Sequence, residues 1–350
     1  MSRYKSLFTA LAATILGLIA GAIFMALSGS NPLAGFYFLF RGGLMNLERI
    51  GNTLASATTL IFTGLAVAFS FKTGLFNIGA SGQMLMGGLT ATAIGLSVQM
   101  PRIVLLPLIV LAAAAAGALW AAIPGFLKAK FNVHEVVATI MMNWIAYWTV
   151  YYTIPAYFKG TFLETESRRI PALASFRAEW LTNIFRGSYI NLGIFLAAAA
   201  VIVIAIILDK TTLGFELKAV GFNRHAAEYA GIHVPRNIIA SLGISGSLAG
   251  LAGATYYLGY SVNMQIGVLP AAGFDGIAVA LLGANSPWGV AASSVFFGIL
   301  HSGKGFMNAM TKVPPEIGDT IIAIIIYFAA TGVLFTRLWE RLIRSRGKEA

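Results

Sequence analysis

Seven apolar stretches, each about twenty residues long and joined by short polar segments, constrain this chain more than any other feature. They fall at 7–27, 53–71, 103–126, 136–154, 190–208, 237–259 and 317–335. A helix rises about 1.5 Å per residue and the bilayer hydrocarbon is about 30 Å thick, so each stretch can cross. Two further regions, 74–98 and 270–304, are apolar but broken by Gly, Pro and polar residues. Counting the first as one crossing and the second as two predicts an all-α polytopic membrane protein. It would have about ten transmembrane or re-entrant helices and one integral membrane domain over 1–350.

The charged fraction agrees. Only 11% of residues are charged, against roughly 25% in soluble domains. The net charge of +11 comes from basic residues lying between apolar runs, with no basic stripe interleaved with aromatics. That pattern suits anionic headgroups and argues against a nucleic-acid partner. The absence of cysteine excludes disulfides and thiolate chemistry, and His134, His225, His233 and His301 have no metal-ligand spacing.

Arg3 and Lys5 precede the run 7–27 in the manner of a signal peptide, but its 21 residues exceed an h-region of about 7–15, and no A-x-A site follows. The segment reads as a retained first span. With the N-terminus inside, 14 of the 24 Lys and Arg residues fall on the inner side. Ten crossings put both termini in the cytoplasm. They also make 155–189 an extracytoplasmic loop, 209–236 a cytoplasmic loop and 336–350 a basic cytoplasmic tail.

The segment "FELKAVGFNRHAAEYAGIHVPRN" at 215–237 is charged, yet it separates two of the longest apolar runs. Asn223 is placed to cap a short helix ending at Gly231, with Pro235 as a stop. Ala226, Ala227 and Gly231 would leave a small-residue face that another protein could approach. The alternative is a solvated connector.

"AVGFNRHAAEYAGI" resembles the cytoplasmic coupling segment of ABC-importer permeases, with His225 in place of the usual Glu. "GLFNIGASGQMLMGG" (74–88), "HEVVATIMMNWIA" (134–146) and "GFDGIAVALLGANSPWG" (273–289) extend the likeness to the branched-chain amino acid/ribose permease superfamily. Within it, the chain is most similar to the nucleoside (basic membrane protein-linked) uptake permeases. The resemblance implies a type II-like importer permease in a bacterial inner membrane. It implies a separate cytoplasmic ATPase, docked on Asn223, Arg224, His225, Ala226, Ala227, Glu228 and Gly231, that carries the ATP and Mg. It further implies a second similar permease chain that forms a heterodimer with this one, and an extracytoplasmic substrate-binding lipoprotein.

This chain should hold no cofactor, metal or catalytic residue. "GILHSGKG" (298–305) approaches a P-loop, but Gly305 stands where Ser or Thr must meet Mg²⁺, and the stretch ends an apolar span.

Interrupted apolar segments point to a substrate pathway, because non-helical backbone at membrane depth needs protein or water around it. "GLFNIGASGQ" and "GFDGIAVALLGANSP" form such a pair. Asp275 is expected to cap a half-helix 276–282 closing at Gly283, and to present its carboxylate, with Phe274 beside it, to the cavity. Asn77 and Gln83 offer paired donors and acceptors to a neutral solute, or else join helices. Asn143 and the flat ring of Trp144 are further pathway candidates. Asn132 with Glu135 resembles a capping box; a proton-linked His134/Glu135 pair is the alternative. These amides, aromatics and one acid suit an uncharged nucleoside. Ribose-type sugars and branched-chain amino acids remain alternatives, although an amino acid needs a cation that the sequence does not place near Asp275. A proton-coupled carrier using Glu135 and Asp275 is a more distant alternative.

Overall fold

A computed structural model describes residues 3–161 and 163–331; the tail 336–350 lies outside the described residues. Among them are fourteen α-helices and one π-helical turn, with two isolated bridges as the β pairing. Among the described residues, five helices are long and apolar enough to cross a membrane. The all-α polytopic expectation holds.

α1 (Arg3–Leu27) lies against α14 (Pro315–Ala330), with Gly17 meeting Ile325 and Gly21 meeting Ile321. Between α1 and the next span is a helix the sequence reading did not foresee, α2 (Pro32–Leu44). Asn31 opens it by accepting the Leu33 N–H at 2.9 Å. Its 13 residues fall below a crossing length, so a search for twenty-residue runs passes over it. It packs on α13 (Pro287–Thr311), where Gly42 and Gly43 meet Gly303 and Ile299.

α3 (Leu47–Lys72) and α11 (Val234–Thr255) are the central posts. The α3 window is 83% buried and that of α11 67%, whereas α1, α5 (Arg102–Phe131) and α8 (Gly193–Lys210) are 22–28% buried. α11 meets α5 and α4 (Ala80–Ser97) backbone to backbone. A Cβ on Gly250 would strike the Ala113 carbonyl, and one on Gly87 would strike Gly250 itself. Small residues allow this approach in lipid, where dispersion replaces the hydrophobic drive between helices.

Both broken regions are now traced. Residues 74–79 leave α3 without helical structure, and α4 then begins. Residues 261–270 descend from the end of α11 to α12 (Ala271–Leu282), and α13 returns. α12 has 12 residues, about 18 Å, and Gly276 seats on Thr63 halfway along α3. It therefore reaches only part of the membrane depth. The starts of α4 and α12 touch: Ser81 Oγ donates to the Pro270 carbonyl at 2.9 Å.

At one end of the bundle, α6 (Glu135–Tyr157) leads into the loop 158–192, which carries the short α7 (Glu179–Ile184) before α8. At the other end, the segment 209–236 is helical rather than looped: α9 (Thr212–Phe222) and α10 (Arg224–Tyr229) separate α8 from α11. The expected capping box at α6 is absent. Asn132 takes the left-handed conformation (φ 52°) that ends α5, and Glu135 instead pairs with Lys128 Nζ at 3.0 Å.

Candidate functional site

The interrupted stretch 74–79 must satisfy its backbone without water; two of the pathway candidates, Asn143 and Asn77, bond to it, and Gln83 holds Asn77 in place. Asn143 on α6 accepts the Gly82 N–H at 2.8 Å and donates to the Ile78 carbonyl at 3.0 Å. Asn77 accepts the Gly79 N–H at 2.9 Å and donates to Gln83 Oε1 at 2.9 Å and Ser245 Oγ at 2.8 Å. Ser245 passes the chain on to the Ala66 carbonyl of α3. Asn77, Gln83 and Asn143 are buried, and their polar atoms are engaged with the protein.

The open space lies elsewhere. A cavity of about 600 Å³ sits between α3, the end of α11, the descending segment 261–270, α12, α13 and α14. α3 contributes Ser56 and Thr59, from the half of the helix away from α9. Asp275 lines it, but not as a cap. The helix starts at Ala271 after Pro270, whose extended backbone (φ −60°, ψ 117°) turns the chain in. Asp275 is therefore inside α12, and its carboxylate borders the cavity. α12 does close at Gly283, as expected.

Opposite Asp275 stands His301, with Nε2 3.3 Å from Asp275 Oδ2. Nε2 is shielded from solvent and makes no hydrogen bond in this arrangement. One turn along α13, Lys304 Nζ meets Asp319 Oδ1 of α14 at 2.6 Å. The expectation that no cation stands near Asp275 is thus corrected: Lys304 shares the cavity, although it is paired. In the sequence, Lys304 falls within "GILHSGKG" and His301 both there and among the histidines without metal-ligand spacing; the stretch is continuous helix here. Ionisable residues within an apolar span were the signal that could have found them.

A second wall was also missed. The end of α11 widens into a π-turn, Tyr256–Tyr260, closed by the Ser261 N–H on the Tyr256 carbonyl at 2.8 Å. Such turns often mark functional positions. It brings the rings of Tyr256 and Tyr260 into a stack, centroids 5.4 Å apart and planes 18° apart, on the cavity wall. The loop 158–192 holds this turn from outside. Arg177 donates to the Gly259 and Tyr260 carbonyls, each at 2.7 Å, and the Phe176 N–H donates to the Leu258 carbonyl at 3.0 Å.

Phe274 and Trp144 do not line the cavity. Phe274 is 39% exposed on α12. Trp144 lies on the outer face of α6 in a shallow groove with Met141, Trp148 and Tyr152. Its neighbour Asn143 faces α4, and one residue along a helix turns the side chain by about 100°.

The coupling candidates cluster at the opposite end. Asn223 caps α10 as expected, accepting the Ala226 N–H at 3.1 Å. The helix ends at Tyr229, and Gly231 follows with φ +83°. Pro235 does not stop a helix; it lies in the first turn of α11. Ala227 is buried, whereas Ala226, His225 and Glu228 are exposed and Arg224 is half-buried. Phe222 and Tyr229 project on either side, each 95% exposed. α9 packs on the end of α3, where Gly221 lies against Lys72.

With this geometry in place, comparison with known proteins is informative. Residues 49–330 match the family described as branched-chain amino acid transport system / permease component. The chain is 44% identical to the guanosine ABC transporter permease protein NupP of Bacillus subtilis, over 95% of each chain. It is 40% identical to the nucleoside ABC transporter permease protein NupB of Lactococcus lactis, over 100% of this chain and 97% of that one. It is 32% identical to the glucose ABC transporter permease protein TsgB13 of Haloferax volcanii, over 93% of this chain and 87% of that one.

Proposed function

The chain belongs to the branched-chain amino acid transport system permease family, and from that premise we propose that it is the channel-forming subunit of an ATP-driven importer of nucleosides. The observation that carries this reading is the cavity wall: an aromatic stack and hydroxyls on one side, and a carboxylate beside an imidazole on the other. A nucleoside presents a flat base and a polyhydroxylated ring, which match those two halves. Lys304 is already held by Asp319, so a phosphate or an amino-acid carboxylate would have to compete for it. The relatives named for guanosine and nucleosides support the same cargo.

The end carrying α9 and α10 faces the cytoplasm in this reading, and both termini lie there too. A separate ATPase, which supplies ATP and Mg, docks on Asn223, Arg224, His225, Ala226, Ala227, Glu228 and Gly231. A second permease chain completes the channel, and an extracytoplasmic binding lipoprotein delivers cargo to the cavity mouth. Asp275 lies on the pathway. Asn77, Gln83 and Asn143 support it by keeping the broken stretch in shape, and Phe274 and Trp144 belong to its outer surroundings. The membrane is the bacterial inner membrane.

A sugar cargo is the second reading, favoured by the glucose-transporter relative; it would use the carboxylate and leave the tyrosine wall idle. Uptake of radiolabelled guanosine and uridine, in cells with and without the gene, separates the two. Gene-dependent uptake that is blocked by unlabelled nucleosides, and that survives collapse of the proton gradient at constant ATP, is expected. Competition by ribose or glucose instead would transfer the cavity to sugars. Loss on uncoupling at constant ATP would point to a proton-coupled carrier.

A further inference from the structure

We propose that the cavity reads a ribonucleoside in two halves: the base lies on the Tyr256–Tyr260 stack, and the Asp275 carboxylate beside His301 grips the ribose diol. This rests on the nucleoside reading above and adds to it which part of the cargo each wall recognises.

The base platform follows from the π-turn. Tyr256 and Tyr260 stand four residues apart and so share one face of the turn, with rings nearly parallel at 18°. Their backbone is immobilised from outside, since the carbonyls of Leu258, Gly259 and Tyr260 accept from Ser175, Phe176 and Arg177. A fixed aromatic face accepts any base by stacking and loses little freedom on doing so. Tyr257 also borders the cavity, but its ring is packed against Gly88 and leaves little face exposed.

The diol site follows from the acceptor count. A carboxylate only accepts, on two oxygens, and a vicinal diol offers two donors at matching spacing. Lys304 and Asp319 have satisfied each other at 2.6 Å. Asp275 has instead an imidazole nitrogen 3.3 Å away that forms no hydrogen bond. That leaves an acceptor and a polar ring free to rearrange around hydroxyls. Two carboxylates, Asp275 and Asp319, face the cavity beside a single lysine that one of them already holds, which disfavours a phosphorylated ligand. At about 600 Å³ the cavity falls within the range of small-molecule sites, roughly 300–1,000 Å³.

The test compares maximal uptake rates of guanosine and 2′,3′-dideoxyguanosine at saturating concentration, in cells carrying the complete importer. Whatever delivers the cargo is the same in every strain, so a changed ratio between the two nucleosides belongs to this chain. The unmodified protein should move the dideoxy compound about tenfold more slowly or worse, as expected for lost hydrogen bonds to a charged group. Asp275→Asn should bring the ratio close to one, with membrane abundance checked by immunoblot. Tyr260→Ala should slow both nucleosides about tenfold, and Tyr260→Phe should recover most of that loss. Equal rates for the two nucleosides in the unmodified protein would overturn the diol site, whatever the variants do. So would an unchanged ratio in Asp275→Asn. Undiminished uptake by both Tyr256→Ala and Tyr260→Ala would overturn the base platform. Absence of any gene-dependent guanosine uptake is a separate result, and it removes the nucleoside reading itself.

Discussion

Asn143 on α6 holds Gly82 on α4, its side-chain oxygen 2.8 Å from the glycine amide, while its nitrogen reaches the Ile78 carbonyl. One side chain thus satisfies both sides of the break where α4 begins. Asn143→Ala should leave a buried N–H and a buried C=O unpaired, at about 1–3 kcal/mol each. We expect a lower thermal midpoint in detergent and reduced membrane abundance. A midpoint equal to that of the unmodified protein would mean that the break is held by other groups.

Arg177 touches no cavity space, yet it fixes two carbonyls of the tyrosine turn. Arg177→Ala should raise the KM for nucleoside uptake about tenfold, with a smaller effect on the maximal rate, because the platform loosens while the pathway stays. Lysine lacks the guanidinium fork and should restore only part of the loss. A uniform fall in rate with unchanged KM would assign Arg177 to folding alone.

Gly231 has φ +83° and open space where a Cβ would stand. The cost of Gly231→Leu is therefore conformational, about 1–2 kcal/mol, and it falls on the joint between α10 and α11. In the assembled importer, ATP hydrolysis should continue while nucleoside uptake drops several-fold. Simultaneous measurement of phosphate release and uptake tests this, and an unaltered ratio of the two would argue against docking at α10.

Two glycines on α11 make a matched pair. A Cβ on Gly250 would collide with the Ala113 carbonyl, whereas a Cβ on Gly243 meets nothing within 4 Å. Gly250→Val should lower the yield of folded protein sharply. Gly243→Ala should be neutral or stabilising by up to about 1 kcal/mol, since alanine favours helix. Size-exclusion profiles in detergent separate these outcomes.

Much of the architecture was visible in the residues because the bilayer enforces a simple length rule. α2 escaped for the same reason: its 13 residues lay one face on α13 and are too few to cross. Asn223 was legible as a cap because capping depends on neighbours three residues away. Asp275 does border the cavity, but not as the expected cap, because Pro270 caps the helix five residues earlier than the carboxylate suggested. His301, Lys304 and Asp319 went unassembled. Their pairing joins α12, α13 and α14, and nothing in local spacing announces a contact between helices. The amides Asn77, Gln83 and Asn143 show the converse. Residue type alone cannot separate a group that meets cargo from one that meets backbone, and the hydrogen-bond partners decide it.

α11 and its π-turn together run 27 residues, Val234–Tyr260, about 40 Å of rod. Gly246, Gly250 and Gly253 press against the backbones of α5 and α4 close to the midpoint of that rod. One end follows α10 directly, and the other carries the tyrosines. A rod clasped near its centre behaves as a seesaw: tilting about the glycine clasp carries the two ends in opposite directions and by comparable amounts. A thrust at α10 that tilted the rod would move Tyr256 and Tyr260 the opposite way, and with them the segment 175–177 that is bonded to their turn.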